Sequence, residues 1–200
     1  MTQSVQARPR VAAGRAALLF LLVTAVTAVA AGCAAAPPGH LAPPITLDQL
    51  DVGPYGGAPC TLLRADRAAR RHLTAPGTPV TDAATGGPDC RWAPAGPRYP
   101  TVTAGASTIV GLEDVYRGRA HDTAFTPIHI AHYPAVELST VPGGIRAGRC
   151  TVQIGVADHS TIAVTADYPP FTDSAFASDP CGDADTLATE IMGQLLAGSP

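Results

Sequence analysis

Apolar and polar positions alternate most regularly between Cys150 and Tyr168. Cys150, Val152, Ile154 and Val156 share one parity, and Thr151, Gln153 and Gly155 take the other. After Asp158-His159-Ser160 the alternation resumes, with Ile162, Val164, Ala166 and Tyr168 against Ala163, Thr165 and Asp167. Two runs of period two joined by a polar turn predict a β-hairpin with one apolar face, and Cys150 points inward on it. A helical period follows: Leu187, Ala188, Ile191, Met192, Leu195 and Leu196 form a broad stripe over about 183–196, with Asp183 or Asp185 available as cap.

Upstream the pattern is broken more often. Leu62, Ala65, Ala69 and Leu73 predict a helix from Thr61 to Leu73 that Pro76-Gly77 stops. Residues 74–88 are turn-rich. Cys90-Arg91-Trp92 opens a strand in which Cys90 and Trp92 share a face, and Trp92, the single Trp, is expected as a core anchor. Tyr99 to Thr103 reads as a short strand with Val102 as its apolar member, and Leu112 to Arg117 as a short helix. Ile128 to Leu138 reads as extended, interrupted at Pro134. Helix, strands, short helix, strands, helix is the order of an α+β domain, a mostly antiparallel sheet with N-terminal and C-terminal helices packed on it. The domain is expected over 59–197.

The chain begins differently. Arg8, Arg10 and Arg15 precede an apolar stretch from Ala16 to Ala31. That is shorter than the ~20 residues a bilayer span needs and suits a signal-peptide core. Ala30-Ala31-Gly32-Cys33 closes it, with small residues immediately before a cysteine. This reads as a lipobox: cleavage before Cys33, lipid on its thiol, residues 1–32 as a lipoprotein signal peptide. Residues 33–58, rich in Ala, Pro and Gly, read as a spacer, since paired prolines favour an extended backbone. The expected location is extracytoplasmic, on the outer face of the cell membrane.

That compartment changes the reading of the other cysteines. Cys60, Cys90, Cys150 and Cys181 are even in number, and exported chains form disulfides. Four cysteines allow three connectivities. Cys60 sits at the start of one expected helix and Cys181 just before the other, while Cys90 and Cys150 occupy inward strand positions. The pairing expected is therefore Cys60 with Cys90 and Cys150 with Cys181, each stapling a helix start to the sheet. No Cys-x-x-Cys pair suggests zinc or a redox motif.

All 13 basic residues are Arg, and 20 Gly and 20 Pro accompany them, a composition that points to a GC-rich genome. Without the three leader arginines, 10 Arg face 16 acidic residues, a net charge of −6. A mildly acidic chain is by default a poor nucleic-acid binder, since phosphate neutralisation needs a basic surface, and no nucleic-acid partner is expected. The strongest basic pattern is Arg64, Arg67 and Arg71 at helical spacing, a possible binding face for lipid headgroups or an acidic wall polymer, with Asp66 partly balancing it.

Three other clusters carry chemistry-bearing residue types. Asp158-His159-Ser160 are triad residues, but adjacent in sequence, whereas a triad converges from separated positions. His129 and His132 are three apart on an extended segment and so point to opposite faces; His132 is expected on the apolar face with Ile128 and Ile130. Glu113-Asp114, with His121-Asp122 downstream, read as helix-surface charge. No catalytic, metal or cofactor residue is assigned.

Several strings together carry a resemblance. Pro59-Cys60-Thr61-Leu62-Leu63 opens a helix, and Asp89-Cys90-Arg91-Trp92 follows. Tyr133-Pro134-Ala135-Val136 precedes Cys150-Thr151-Val152-Gln153-Ile154-Gly155-Val156, and Asp179-Pro180-Cys181 leads a helix holding Leu187-Ala188. From about Leu50 to Leu196 this succession resembles a family of actinobacterial secreted lipoproteins of unknown function, which includes some mycobacterial Lpr-type lipoproteins. The resemblance implies export, a lipid anchor and a compact disulfide-bonded α+β domain, and it carries over no catalytic residue. The functional expectation is a lipid-anchored envelope protein that binds a ligand, an envelope protein or a cell-wall component. The alternative is an envelope hydrolase.

Overall fold

The hairpin at 150–168 forms the middle of a larger sheet. The computed structural model describes residues 41–82, 87–169 and 179–198. The chain divides into two units, Met1–Ala36 and Pro37–Pro200. The first unit, with the expected leader and Cys33, lies outside the described residues, and the rest of this section concerns the second. Its strands are β1 (Thr78–Thr81), β2 (Pro88–Trp92), β3 (Thr101–Ser107), β4 (Ala124–Ile130), β5 (Tyr133–Ser139), β6 (Arg149–Ala157) and β7 (Ser160–Asp167). They form a seven-stranded sheet in the order β1-β2-β3-β7-β6-β5-β4, every pairing antiparallel. The helices are α1 (Gly53–Gly57), α2 (Ala65–Arg70), α3 (Leu112–Gly118) and α4 (Pro180–Leu196). The expected α+β architecture is the one observed.

Register decides which residues share a face. Trp92, Val102, Ala166 and Cys150 stand in one row across four strands. Two residues along, Cys90, Ala104, Val164, Val152 and Glu137 form the next row of the same face. Both inward cysteines therefore look to one side, the side that α1, α2 and α4 cover. Leu62, Leu63, Trp92, Ile154, Ile162, Ile191 and Met192 are among its fully buried side chains. The two disulfides are those expected: Cys60–Cys90, with Cα atoms 4.9 Å apart, and Cys150–Cys181, at 5.1 Å. Each fixes a helical entry to a strand from the buried side.

The opposite face is covered only in part. Leu112 and Tyr116 of α3 pack on Val136 and Leu138 in a second, smaller cluster, and Tyr116 meets Phe125 edge-on with ring centroids 4.9 Å apart. Beyond α3 this face is hydroxyl-rich. Thr103, Thr165 and Thr151 align across three strands, and the Thr151 and Thr165 hydroxyls hydrogen-bond at 2.8 Å.

Several expectations need correction. The helix expected from Thr61 to Leu73 is a 3-10 turn at Pro59–Thr61, a bend, and then the short α2. Arg64 is extended (ψ 146°), which rotates the inward face: Leu62, Leu63, Ala68 and Leu73 are buried, while Ala65 and Ala69 are exposed. The turn-rich stretch contains an edge strand, β1. The extended segment at 128–138 is a hairpin that breaks at Ala131-His132, both with positive φ, rather than at Pro134. His132 sits exposed on that turn instead of on the apolar face, and His129 is exposed too. Helix α4 starts earlier than expected; its cap is Asp179, whose Oδ1 accepts the Gly182 amide at 3.0 Å. The part of the expected spacer that is described, 41–58, is docked. Val52 and Tyr55 belong to the core, and the Leu50 amide donates to the Val156 carbonyl at 3.0 Å. A stretch without helical or strand period can still bury two large side chains, and periodicity does not register that.

Candidate functional site

The sheet has two distinct ends. One carries the 93–100 loop between β2 and β3, the exit of β7 and the start of α4. The other carries the β3–α3 loop, the Asp158-His159 turn and the Ala131-His132 turn. A cavity of about 180 Å³ opens at the first end, between the close of α2, the 93–100 loop and α4. Leu73, Val102 and Leu187 give it an apolar floor. His72 and Tyr99 form one wall, their rings stacked 4.2 Å apart and 17° from parallel. Arg70, Arg71, Asp183 and Thr186 supply polar groups around it.

Local structure places each of these groups. His72 closes α2 in the left-handed region (φ 57°), a conformation more accessible to His than to most residues. Its carbonyl accepts the Ala95 amide at 2.7 Å, which ties the helix end to the loop that carries Tyr99. Asp183, in the first turn of α4, accepts the Tyr168 hydroxyl. Burial, with the Asp183 carboxylate beside it, pushes the Tyr168 hydroxyl above its ordinary range. The floor is apolar, one wall is a flat ring and the rim offers both donors and acceptors. That arrangement suits a compact polar ligand with a face that can stack. The volume lies below the 300 Å³ or so of pockets that engulf whole ligands, so a single ring or chain end is what it can seat.

The arginines singled out by their spacing do not form one open face. Arg64 Nε pairs with Asp66 Oδ1 at 3.2 Å, and Arg70 Nη1 with Asp66 Oδ2 at 3.1 Å. Arg67 Nη1 donates to the Glu190 carbonyl at 3.4 Å, and Arg71 Nε to Glu190 Oε1 at 2.8 Å. Arg67 and Arg71 thus fasten α2 to α4, and of the three positions Arg64 and Arg71 meet a carboxylate, Asp66 and Glu190, while Arg67 meets a backbone carbonyl. Trp92 is buried in the core, as expected. Glu113 accepts the amides of Leu41 and Ala42, and Asp114 caps α3 through the Gly111 amide at 3.0 Å. His121 and Asp122 lie at the 3-10 turn that follows α3. Asp158 and His159 form the two-residue tip of the β6–β7 hairpin.

Two carboxyl sites carried no sequence signal. Glu137 sits on the core face of β5 with its carboxyl beside that of Asp185 of α4; burial raises both above the ordinary carboxylate range, and the nearby Asp179 adds to it. Asp89, on the hydroxyl-rich face, lies where a Cβ on Gly105 would overlap it, and burial with Asp82 nearby pushes its carboxyl up to about 6. Among the described residues no three His, Cys, Asp or Glu side chains come together as a metal site, and no helix is long and apolar enough to cross a membrane.

A family model described as Protein of unknown function (DUF3558) matches residues 27–194, and the chain belongs to that family. No curated protein and no solved structure matches it.

Proposed function

We propose that this member of the family is an exported, lipid-anchored envelope protein, held at the outer face of the cell membrane through Cys33, and that its domain is a binding module. One observation carries the anchor. The two disulfides consume four of the five cysteines and leave Cys33 alone, directly after an apolar run and Ala30-Ala31-Gly32. Buried structural disulfides belong to oxidising compartments, and in such a compartment lipidation accounts for the odd thiol. Cys33→Ala separates the anchor from the domain: the wild type fractionates with membranes, and the variant is released. Equal retention of both would overturn the anchor.

Binding is favoured by the cavity at the α4 end. Two of its charged groups are engaged by residues outside its lining, Asp183 by Tyr168 and Arg71 by Glu190, and that suits recognition better than proton transfer. The partner fitting this account is a ring-bearing envelope component, with actinobacterial cell-wall material as the source to test. The second reading, an envelope hydrolase, draws on one fact: His72 and Asp183 line the same cavity. Incubation with purified wall fragments divides the two. Retention of intact fragments, weakened by Tyr99→Ala, supports binding; cleaved products lost in His72→Ala support hydrolysis.

A further inference from the structure

The geometry points to a fixed mounting of the domain on the lipid surface, with the β3–α3 loop against the bilayer and the α4-end cavity facing away from it. The inference rests on the anchor proposed above and goes beyond it by naming which surface meets lipid. Two residues shortly after Cys33 in the chain are held at one end of the domain. The Leu41 and Ala42 amides donate to Glu113 Oε2 at 2.9 and 3.0 Å, and Ala42 packs on the α3 cluster. Glu113 lies in the first turn of α3, directly after the β3–α3 loop, so Leu41 and Ala42 are held at the end of the sheet opposite the cavity.

The length of the leash then limits how far this end can stand from the lipid. Eight peptide links join Cys33 to Leu41, and fully extended they span at most about 29 Å. From Thr101 to Ser107, β3 separates the two ends of the sheet by about 20 Å. The leash's reach exceeds the strand length, so a lipid on Cys33 brings the Glu113 end to the surface, and what this end presents to lipid sets the orientation that leaves the cavity about one strand length farther out.

An independent feature marks the same end. Ile109, on the β3–α3 loop, is 83% exposed, more than any other exposed large hydrophobic residue described. Leu41 and Leu47, also exposed, belong to the docked stretch that reaches this end, where the Leu50 amide meets the Val156 carbonyl and the Tyr133 hydroxyl donates to the Asp48 carbonyl. Asp48, Asp51 and Asp158 share the region with His132 and His159, and no Lys or Arg is among the residues of these turns or of the 41–52 stretch. Attraction to anionic headgroups is therefore not what holds it, and the contact is apolar and insensitive to salt. One exposed isoleucine binds lipid only weakly by itself; beside a covalent anchor it has to choose an orientation rather than supply affinity.

The test uses the lipidated chain, purified from membranes and reconstituted in vesicles that contain spin-labelled lipid. A thiol-reactive fluorophore is placed at Thr108→Cys, beside Ile109, or at Ala95→Cys on the opposite end. The Thr108 probe should be quenched at least about threefold more than the Ala95 probe, as expected for a side chain at the headgroup boundary. Glu113→Ala, which frees Leu41 and Ala42, should bring the two values together. Vesicle-bound protein with equal quenching, or with stronger quenching at Ala95, would overturn the mounting while leaving the anchor intact. Protein that does not stay with vesicles at all would instead sink the anchor, and the mounting with it.

Discussion

Glu137 and Asp185 meet carboxyl to carboxyl between β5 and α4. Asp185 Oδ1 is buried with no hydrogen-bond partner among the described residues, and a proton shared between the two carboxyls would relieve both its burial and the like charge beside it. Burial raises both groups above the ordinary carboxylate range. The folded protein then holds the shared proton more tightly than the unfolded chain. The pair's contribution is fully present at low pH and is lost as the pH rises through the raised folded values. Asp185→Asn should remove that loss and raise stability at neutral pH by about 1 kcal/mol. Urea unfolding between pH 4 and pH 8 checks it; wild-type and variant profiles that stay parallel would contradict it.

Gly77 packs where no side chain fits. A Cβ there would overlap Cys90 Sγ and lie 2.7 Å from the Trp92 ring. The Cys60–Cys90 bridge holds one obstacle and the core holds the other, so neither can yield. Gly77→Ala should cost about 1–3 kcal/mol, read as a lowered thermal midpoint, whereas Gly118→Ala, with open space around it, should be near neutral.

The Cys150–Cys181 bridge closes a loop with a sequence separation of 31. By the chain-entropy model its removal as Cys150→Ala with Cys181→Ala should cost about 2–4 kcal/mol. The loss should show in denaturant unfolding, and native-state hydrogen exchange should rise first in the opening turns of α4. An unchanged midpoint would mean that packing alone docks the helix.

Arg71 and Glu190 join α2 to α4, with the Glu190 side chain at 19% relative exposure and its Oε2 buried without a partner. A double-mutant cycle with Arg71→Ala and Glu190→Gln should give a coupling of about 1 kcal/mol, the upper end for partly exposed pairs. Coupling near zero would return Arg71 to the status of a free surface cation.

What was legible in the chain follows from which forces leave a period. The hairpin Cys150–Tyr168 and helix α4 each bury one face, so burial writes itself as period two or 3.6, and those elements were read correctly. The disulfide pairing followed, because it needed only the inward parity of Cys90 and Cys150 and two helical starts. The docked 41–58 stretch, edge strand β1 and the Ala131-His132 turn were not legible. The first is held by a carboxylate and single side chains, the second has one neighbour strand, and the third depends on positive φ at residues other than Gly. The cavity was illegible for a related reason. His72, Tyr99 and Asp183 lie far apart in sequence, and the Ala95–His72 backbone bond that gathers the first two carries no side-chain signature. Arg64, Arg67 and Arg71 had the spacing of a binding face, but Asp66 and Glu190 occupy them, and Glu190 is more than a hundred residues away.

The central claim is that Cys33 carries the lipid that places this domain at the membrane. Mass spectrometry of the N-terminal peptide from the membrane-bound protein tests it most directly. The account predicts a chain that begins at Cys33 with a diacylglyceryl group on its sulfur. A chain that retains residues before Cys33, or begins there with an unmodified thiol, would contradict it.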